Sequence, residues 1–212
     1  AVWQSADGSE FSLIDDDPAL ESDAQGQTEV HGDAVTSDGY VAVGGITPTG
    51  SRLAARDPVA WRSSDGRTWH RVALPHTAGD DVMLQVASVP DGLLAVGSDR
   101  IAFRVWTADP SGATWHTGPT FGGAGDGTTV PTVSSLAVVG PRVYAVVANA
   151  SSFELWRGGV RSTWQRARMP VTVAAAPVAT GPRVMSVAGS GATLMVAADD
   201  GRHATVWFAG AK

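Results

Sequence analysis

Val59-Ala60-Trp61-Arg62-Ser63-Ser64-Asp65-Gly66-Arg67-Thr68-Trp69 is the stretch that decides the fold. It opens as a short apolar strand closed by Trp61. Ser and Asp then follow, side chains that hydrogen-bond backbone amides one or two residues on, and Gly66 supplies positive φ. A second Trp covers the turn. The same design returns along the chain. Trp3, Trp61, Trp106, Trp156 and Trp207 each end an apolar stretch, at intervals of 58, 45, 50 and 51 residues. The first four are followed eight or nine residues later by a second aromatic: Phe11, Trp69, Trp115 and Trp164. One supersecondary unit is being copied, and a period near fifty residues marks a repeat architecture.

A second series keeps step with the first: Tyr40-Val41-Ala42-Val43-Gly44, Leu93-Leu94-Ala95-Val96-Gly97, Val143-Tyr144-Ala145-Val146-Val147 and Thr193-Leu194-Met195-Val196-Ala197. These runs are apolar on both faces, as strands are when sheets stack face to face. Before each lies another strand ending in a tight turn, at Asp38-Gly39, Asp91-Gly92, Gly140-Pro141 and Gly189-Ser190-Gly191. Asp-Gly between apolar runs is a strong hairpin signal. Each unit therefore reads as four antiparallel strands, and four short strands at this period predict an all-β protein, a β-propeller of four-stranded blades. β-Branched residues, Gly and Pro dominate, and no stretch holds helical periodicity, so almost no helix is expected. The chain divides into a partial blade at 1–15, full blades at about 28–75, 82–120 and 130–170, and a partial blade at 183–212. Seventeen strands do not divide into fours, which predicts an arc of a six- or seven-bladed ring, completed by further sequence or by a partner chain.

The turns between the paired aromatics resemble the Asp-box, Ser-x-Asp-x-Gly-x-Thr-Trp, of the sialidase-like (BNR-repeat) propellers. The residues that carry the resemblance are Ser5, Asp7, Gly8 and Phe11; Ser63, Asp65, Gly66 and Trp69; Asp109, Gly112 and Trp115; and Gly159 and Trp164. Each copy departs from the strict pattern: the first two are one residue short, the third is one long, and the fourth has lost Ser and Asp. The resemblance implies a propeller whose box hairpins are structural, on the face opposite the ligand site, and it implies no activity for them.

For an enzyme of that family the resemblance implies three arginines around a carboxylate, a Tyr–Glu nucleophile pair and an Asp acid/base. The near match to the family's Arg-Ile-Pro motif is Arg168-Met169-Pro170, late in the chain at the end of an outer strand. Of the two tyrosines, Tyr144 lies in a doubly apolar strand and Tyr40 starts one beside a turn, so both read as structural. Glu10, Glu21, Glu29 and Glu154 are poorly placed as partners. No catalytic residue is therefore assigned, and a glycoside hydrolase with its catalytic residues on blades missing from this chain is the alternative. No Gly-x-Ser-x-Gly elbow, His-Glu-x-x-His helix or phosphate-cradling loop is present. His70 and His116 follow the second Trp of their units and read as repeat positions. Asp15-Asp16-Asp17, Asp80-Asp81 and Asp199-Asp200 lack the alternating ligands of a calcium loop and read as solvated acidic turns, so no metal or cofactor is expected.

A net charge of −6 and a pI near 5.2 leave no basic stripe for phosphates, so nucleic acid is excluded as a partner. Cysteine is absent, which removes disulfides, thiolate metal sites and a Cys nucleophile. No apolar run approaches the roughly 20 residues of a membrane span. Lys212 is the sole lysine against 14 arginines, a bias that points to a high-GC, bacterial genome. The start on strand-like Ala1-Val2-Trp3 suggests that something upstream has been removed. These features predict a non-catalytic binding, scaffold or accessory module outside the cytoplasm, secreted or attached to the cell envelope, with a protein or glycan partner. Its ligand would sit on the loops joining second to third strands, where Arg52, Asp99, Arg100, Asp199, Asp200, Arg202 and His203 are the charged candidates.

Overall fold

The computed structural model describes residues 2–5, 7–15, 17–24, 26–51, 55–75, 79–99, 101–123, 131–149, 151–169, 172–175 and 183–210. No helix occurs among them. A first sheet pairs β1 (Val2–Gln4) with β2 (Ser12–Ile14). Three four-stranded antiparallel blades follow. Blade I contains β3 (Gly26–Thr36), β4 (Gly39–Pro48), β5 (Asp57–Ser63) and β6 (His70–Val72); blade II contains β7 (Val82–Val89), β8 (Gly92–Ser98), β9 (Phe103–Ala108) and β10 (Trp115–Phe121). Blade III contains β11 (Thr132–Val139), β12 (Arg142–Ala148), β13 (Phe153–Gly159) and β14 (Ser162–Arg166). A last, three-stranded sheet holds β15 (Val184–Ser190), β16 (Thr193–Asp199) and β17 (Ala204–Gly210). Every neighbouring pair is joined in sequence order.

Side chains alternate along a strand, so each blade has two faces, and the register shows which residues share one. In blade II, Leu93 lies opposite Ala108 and Ala95 opposite Trp106. This side packs against Val41, Val43 and Ala60 of blade I. The other side carries Leu94, Val96, Phe103 and Val105 and packs against Val143, Ala145, Val147 and Trp164 of blade III. All seven residues of β8 are buried, the reason its sequence is apolar without alternation. Tyr144, Val146 and Leu155 of blade III continue the series against Leu194, Val196 and Ala198 of the last sheet. A consistent polarity results: the Trp-bearing side of a blade faces the preceding blade, and its aliphatic side faces the next. Rings reinforce one junction, where Phe121 stacks on Trp164 with centroids 4.5 Å apart.

The innermost strands β3, β7, β11 and β15 lie side by side, giving a radial stack of sheets. Each of the first three is kinked by a register shift, at Val30/Gly32, Met83/Gln85 and Val133/Ser135, as bulges kink strands. Opposite two of these kinks the second strand carries Gly44 and Gly97, where a Cβ would lie 1.8 Å from Glu29 O and Val82 O respectively. Only glycine tolerates that approach. Serines tie neighbouring inner strands together: Ser134 Oγ donates to Met185 O at 2.9 Å, and Val187 N donates to Ser135 Oγ at 2.9 Å.

Burial departs from expectation at the first sheet. Phe11 does not cover its hairpin from solvent: it is 59 % exposed, as is Trp3, whereas Trp61 is 0 % and Trp69 6 % exposed. The Trp side of a blade is sealed by the blade before it, and no described sheet precedes this one. On the last sheet, Val206 and Phe208 occupy the opposite, aliphatic side and are 49 % and 71 % exposed.

Candidate functional site

Antiparallel strands place two kinds of loop at opposite ends of every blade. One end carries the hairpins between third and fourth strands, and the other carries the turns between second and third strands with the inter-blade links. A seven-residue strand separates them by about 23 Å.

At the hairpin end, Asp65 Oδ1 accepts from Arg67 N at 2.7 Å and Thr68 N at 2.9 Å, while Gly66 N donates to Ser63 Oγ at 2.8 Å. Gly66 has φ +73°. Ser5 and Asp7 repeat this: Ser9 N reaches Asp7 Oδ1 at 2.8 Å, Gly8 N reaches Ser5 Oγ at 2.8 Å, and Gly8 has φ +78°. The Ser9 amide first, then the Ser9 hydroxyl and the Glu10 amide, bring the Asp7 carboxyl down to about 2. The Thr68 and Arg67 amides lower Asp65 likewise. In the longer third turn burial pushes Asp109 up, but the Ser111 hydroxyl and Thr114 amide outweigh it and bring the carboxyl to about 2. Trp115 Nε1 closes that turn on Gly112 O at 3.0 Å. In the fourth, Gly159 pairs with Ser162 across a tight hairpin and Trp164 is buried.

At the loop end the candidate carboxylates are engaged. Asp99 Oδ1 accepts from Ile101 N and Ala102 N at 2.8 and 2.7 Å, and its Oδ2 accepts from Arg104 at 3.1 Å. Asp200 Oδ1 accepts from Arg202 N and His203 N, both at 2.8 Å, which lowers its carboxyl, the His203 amide contributing most. Asn149 does the same for Ser151 N and Ser152 N at 3.0 and 3.1 Å. Asp99, Asn149 and Asp200 are therefore one repeat position, the residue that shapes the turn after each second strand. Asp199 Oδ1 accepts from Gly201 N at 2.7 Å. The side chains of Arg202 and His203 stand exposed at the tip of their turn. Arg52 and Arg100 lie outside the described residues.

The inter-blade link holds residues that sequence reasoning misread. Asp80 and Asp81 are not a solvated acidic turn: they are 9 % and 1 % exposed. Arg56 Nε donates to Asp80 Oδ1 at 2.7 Å, and Arg104 Nε to Asp81 Oδ1 at 3.0 Å. They form two ion-pair groups on adjacent residues of the link, Arg56–Asp80 toward blade I and Asp81–Arg104–Asp99 toward blade II. The signal was weak in the sequence, because the arginines lie 24 and 23 residues from their partners. Asp17 likewise serves structure, accepting from Trp69 N at 2.7 Å and pinning the 17–23 segment over the edge of blade I. Glu154 accepts from Trp156 Nε1 at 2.9 Å and pairs with Arg166 at 3.3 Å. Arg168 is exposed beyond the end of β14, and Pro170 lies outside the described residues. Among the described residues no group of three metal-binding side chains converges, and no helix is long and apolar enough to cross a membrane.

A cleft of about 440 Å³ opens at the hairpin end, between blades I and II, lined by Asp38, Tyr40, Arg62, Ser64, His70 and Ser111 among others. Sequence reasoning had placed ligands only at the other end.

No family model and no curated protein matches this chain. Among solved structures it is similar to Bacteroides ovatus Xyloglucan PUL GH43B, with a TM-score of 0.52 and 11 % identity, covering 98 % of this chain and 46 % of that one. It is also similar to an exo-inulinase from Aspergillus awamori, with a TM-score of 0.44 and 13 % identity, covering 75 % of this chain and 40 % of that one. The chain thus spans about half the length of the structures it matches. The first likeness and the stacked four-stranded sheets agree: the fold is that of a β-propeller.

Proposed function

We propose that this chain is a non-catalytic propeller module that binds a protein or glycan outside a bacterial cytoplasm, as a scaffold or accessory subunit. The observation that carries the reading is the state of five carboxylates at the loop end; Asp57, which opens β5 there, is not among them. Asp80, Asp81, Asp99, Glu154 and Asp200 are committed to arginines, an indole or turn amides. Glycoside hydrolysis needs two carboxyl groups facing a substrate, about 5–9.5 Å apart, with oxygens free for proton transfer or attack. These five have other work. The Ser-x-Asp-Gly hairpins support kinship with the Asp-box propellers, in which that hairpin is structural. Exposed Arg202 and His203 are then the recognition residues at the loop end, and further blades, on the same polypeptide or a partner, cover the Trp3 and Phe208 sides.

The second reading, an exo-acting glycoside hydrolase with its catalytic residues on blades outside this chain, is favoured by the glycoside-hydrolase likeness among solved structures. A glycan array run beside turnover of a panel of fluorogenic glycosides, with the chain assayed together with the blades that complete its ring, separates the two. Retention of a glycan without turnover, weakened severalfold in the Arg202→Ala/His203→Ala double variant, supports the binding module. Turnover by the protein sinks it in favour of the hydrolase, and retention untouched by the double variant removes those two residues from the site.

A further inference from the structure

The residue after the third-strand Trp occupies one repeat position at successive junctions. In the first sheet it is Gln4, and it closes the junction: its Nε2 donates to Asp65 O at 2.7 Å and its Oε1 accepts from Arg67 Nε at 2.9 Å. Gln4 thereby seals the crevice between its own strand and the hairpin of blade I. In blade I the same position is Arg62, and it does not close the next junction. Its stem passes the Gly112 turn of blade II, with Cγ 3.8 Å from where a Cβ on that glycine would lie. Half-buried, its guanidinium has no hydrogen bond or ion pair among the described residues. The 440 Å³ cleft is what remains where a Gln4-like bridge is lacking.

The lining fits one chemistry. His70 is the register partner of Arg62 across β5 and β6, so both heads stand on the same side of the blade. A guanidinium without an ion-pair partner, beside an imidazole, recognises a carboxylate by paired hydrogen bonds. Ser64 offers a hydroxyl, Ser111 offers an oxygen that accepts while its own proton goes to Asp109, and Asp38 offers an acceptor for ligand hydroxyls while repelling multiply charged anions such as phosphate. The volume is that of a small-ligand site and exceeds what a simple anion fills.

We propose that this inter-blade cleft is a ligand site for a single sugar acid, a hexuronate, with Arg62 and His70 on its carboxylate and Asp38, Ser64 and Ser111 on its hydroxyls. It is separate from the loop-end surface and stands or falls independently of it.

The test is titration of the protein with D-glucuronate and D-galacturonate, followed by amide chemical shifts and calorimetry, with D-glucose and acetate as controls. At least one uronate is expected to shift Ser63, Ser64 and Ser111 and leave the Asp200 to His203 turn unmoved. Arg62→Ala and His70→Ala should each weaken that binding, the former about tenfold or more, with the spectra showing both variants folded. Arg62→Gln, which keeps a polar head but removes the guanidinium, should weaken it comparably. Glucose or acetate binding as well as the uronates, affinity unchanged in Arg62→Ala, shifts confined to the loop end, or no shift with either uronate would each overturn the proposal.

Discussion

The hairpin that begins at Ser5 and the one that begins at Ser63 match in hydrogen bonding and differ in burial. Asp7 and Asp65 accept the same following amides at 2.8 and 2.7 Å, and Gly8 and Gly66 share a left-handed φ of +78° and +73°. Yet Phe11 is 59 % exposed and Trp69 6 %. The turn is thus a local object, complete within a few residues of chain. The burial of the aromatic after it belongs to the stack, because Val2 of the first sheet and Ala19 and Leu20 of the link that follows it seal the cluster that holds Trp69.

The largest way to break this comparison is at the third-strand tryptophans. Trp61→Ala empties a fully enclosed site, Trp61 being 0 % exposed, and should cost about 3–5 kcal/mol. In this chain by itself, without the covering blades, Trp3→Ala removes a ring already 59 % in water and should cost less than about 1 kcal/mol. Urea unfolding of the two variants checks this, and equal losses would mean that the first sheet is sealed in solution.

A smaller effect separates the turn glycines. Gly112 has φ +68°, and a Cβ there would lie 2.6 Å from Val41 Cγ2, so Gly112→Ala suffers both backbone strain and a clash with blade I. Gly8 has φ +78° but nothing within 4 Å, so Gly8→Ala suffers only the strain, about 1–2 kcal/mol. Thermal unfolding should rank Gly112→Ala clearly below Gly8→Ala.

The smallest effect is a similarity. Asp7 and Asp109 ionise near 2 in the folded chain, below the roughly 3.9 of a free Asp. A carboxyl lowered by folding stabilises the hairpin above its unfolded pKa, and that contribution fades as pH falls through the folded value. Protection of the Ser9 and Ser111 amides, measured relative to the intrinsic exchange rate at each pH, should therefore fall together as pH drops from about 4 toward 2, although one hairpin is exposed and the other packed. Separate pH windows would show that packing, and not the local amides, sets the carboxyl.

Much of the fold is legible in the residues because its signals are local and repeated. The doubly apolar runs mark strands such as β8, and the paired aromatics mark β9 and β10. Less of the candidate site is legible. Asp99 and Asp200 stand out as charged loop residues, but their role as turn shapers emerges only once Asn149 is seen at the same position. Asp80 and Asp81 carry no mark that they are buried, since Arg56 and Arg104 reach them from other elements. The cleft is less visible still, because it depends on Arg62 leaving open what Gln4 closes.

By itself, then, the sequence determined the hairpins, the order of the strands and the two faces of each blade, since those follow from hydrogen bonds spanning two or three residues and from alternation along a strand. Only the tertiary structure decided which aromatics are dry, which carboxylates are paired and where a cleft opens. Those outcomes depend on side chains about fifty residues apart meeting across stacked sheets, and no local pattern fixes that meeting.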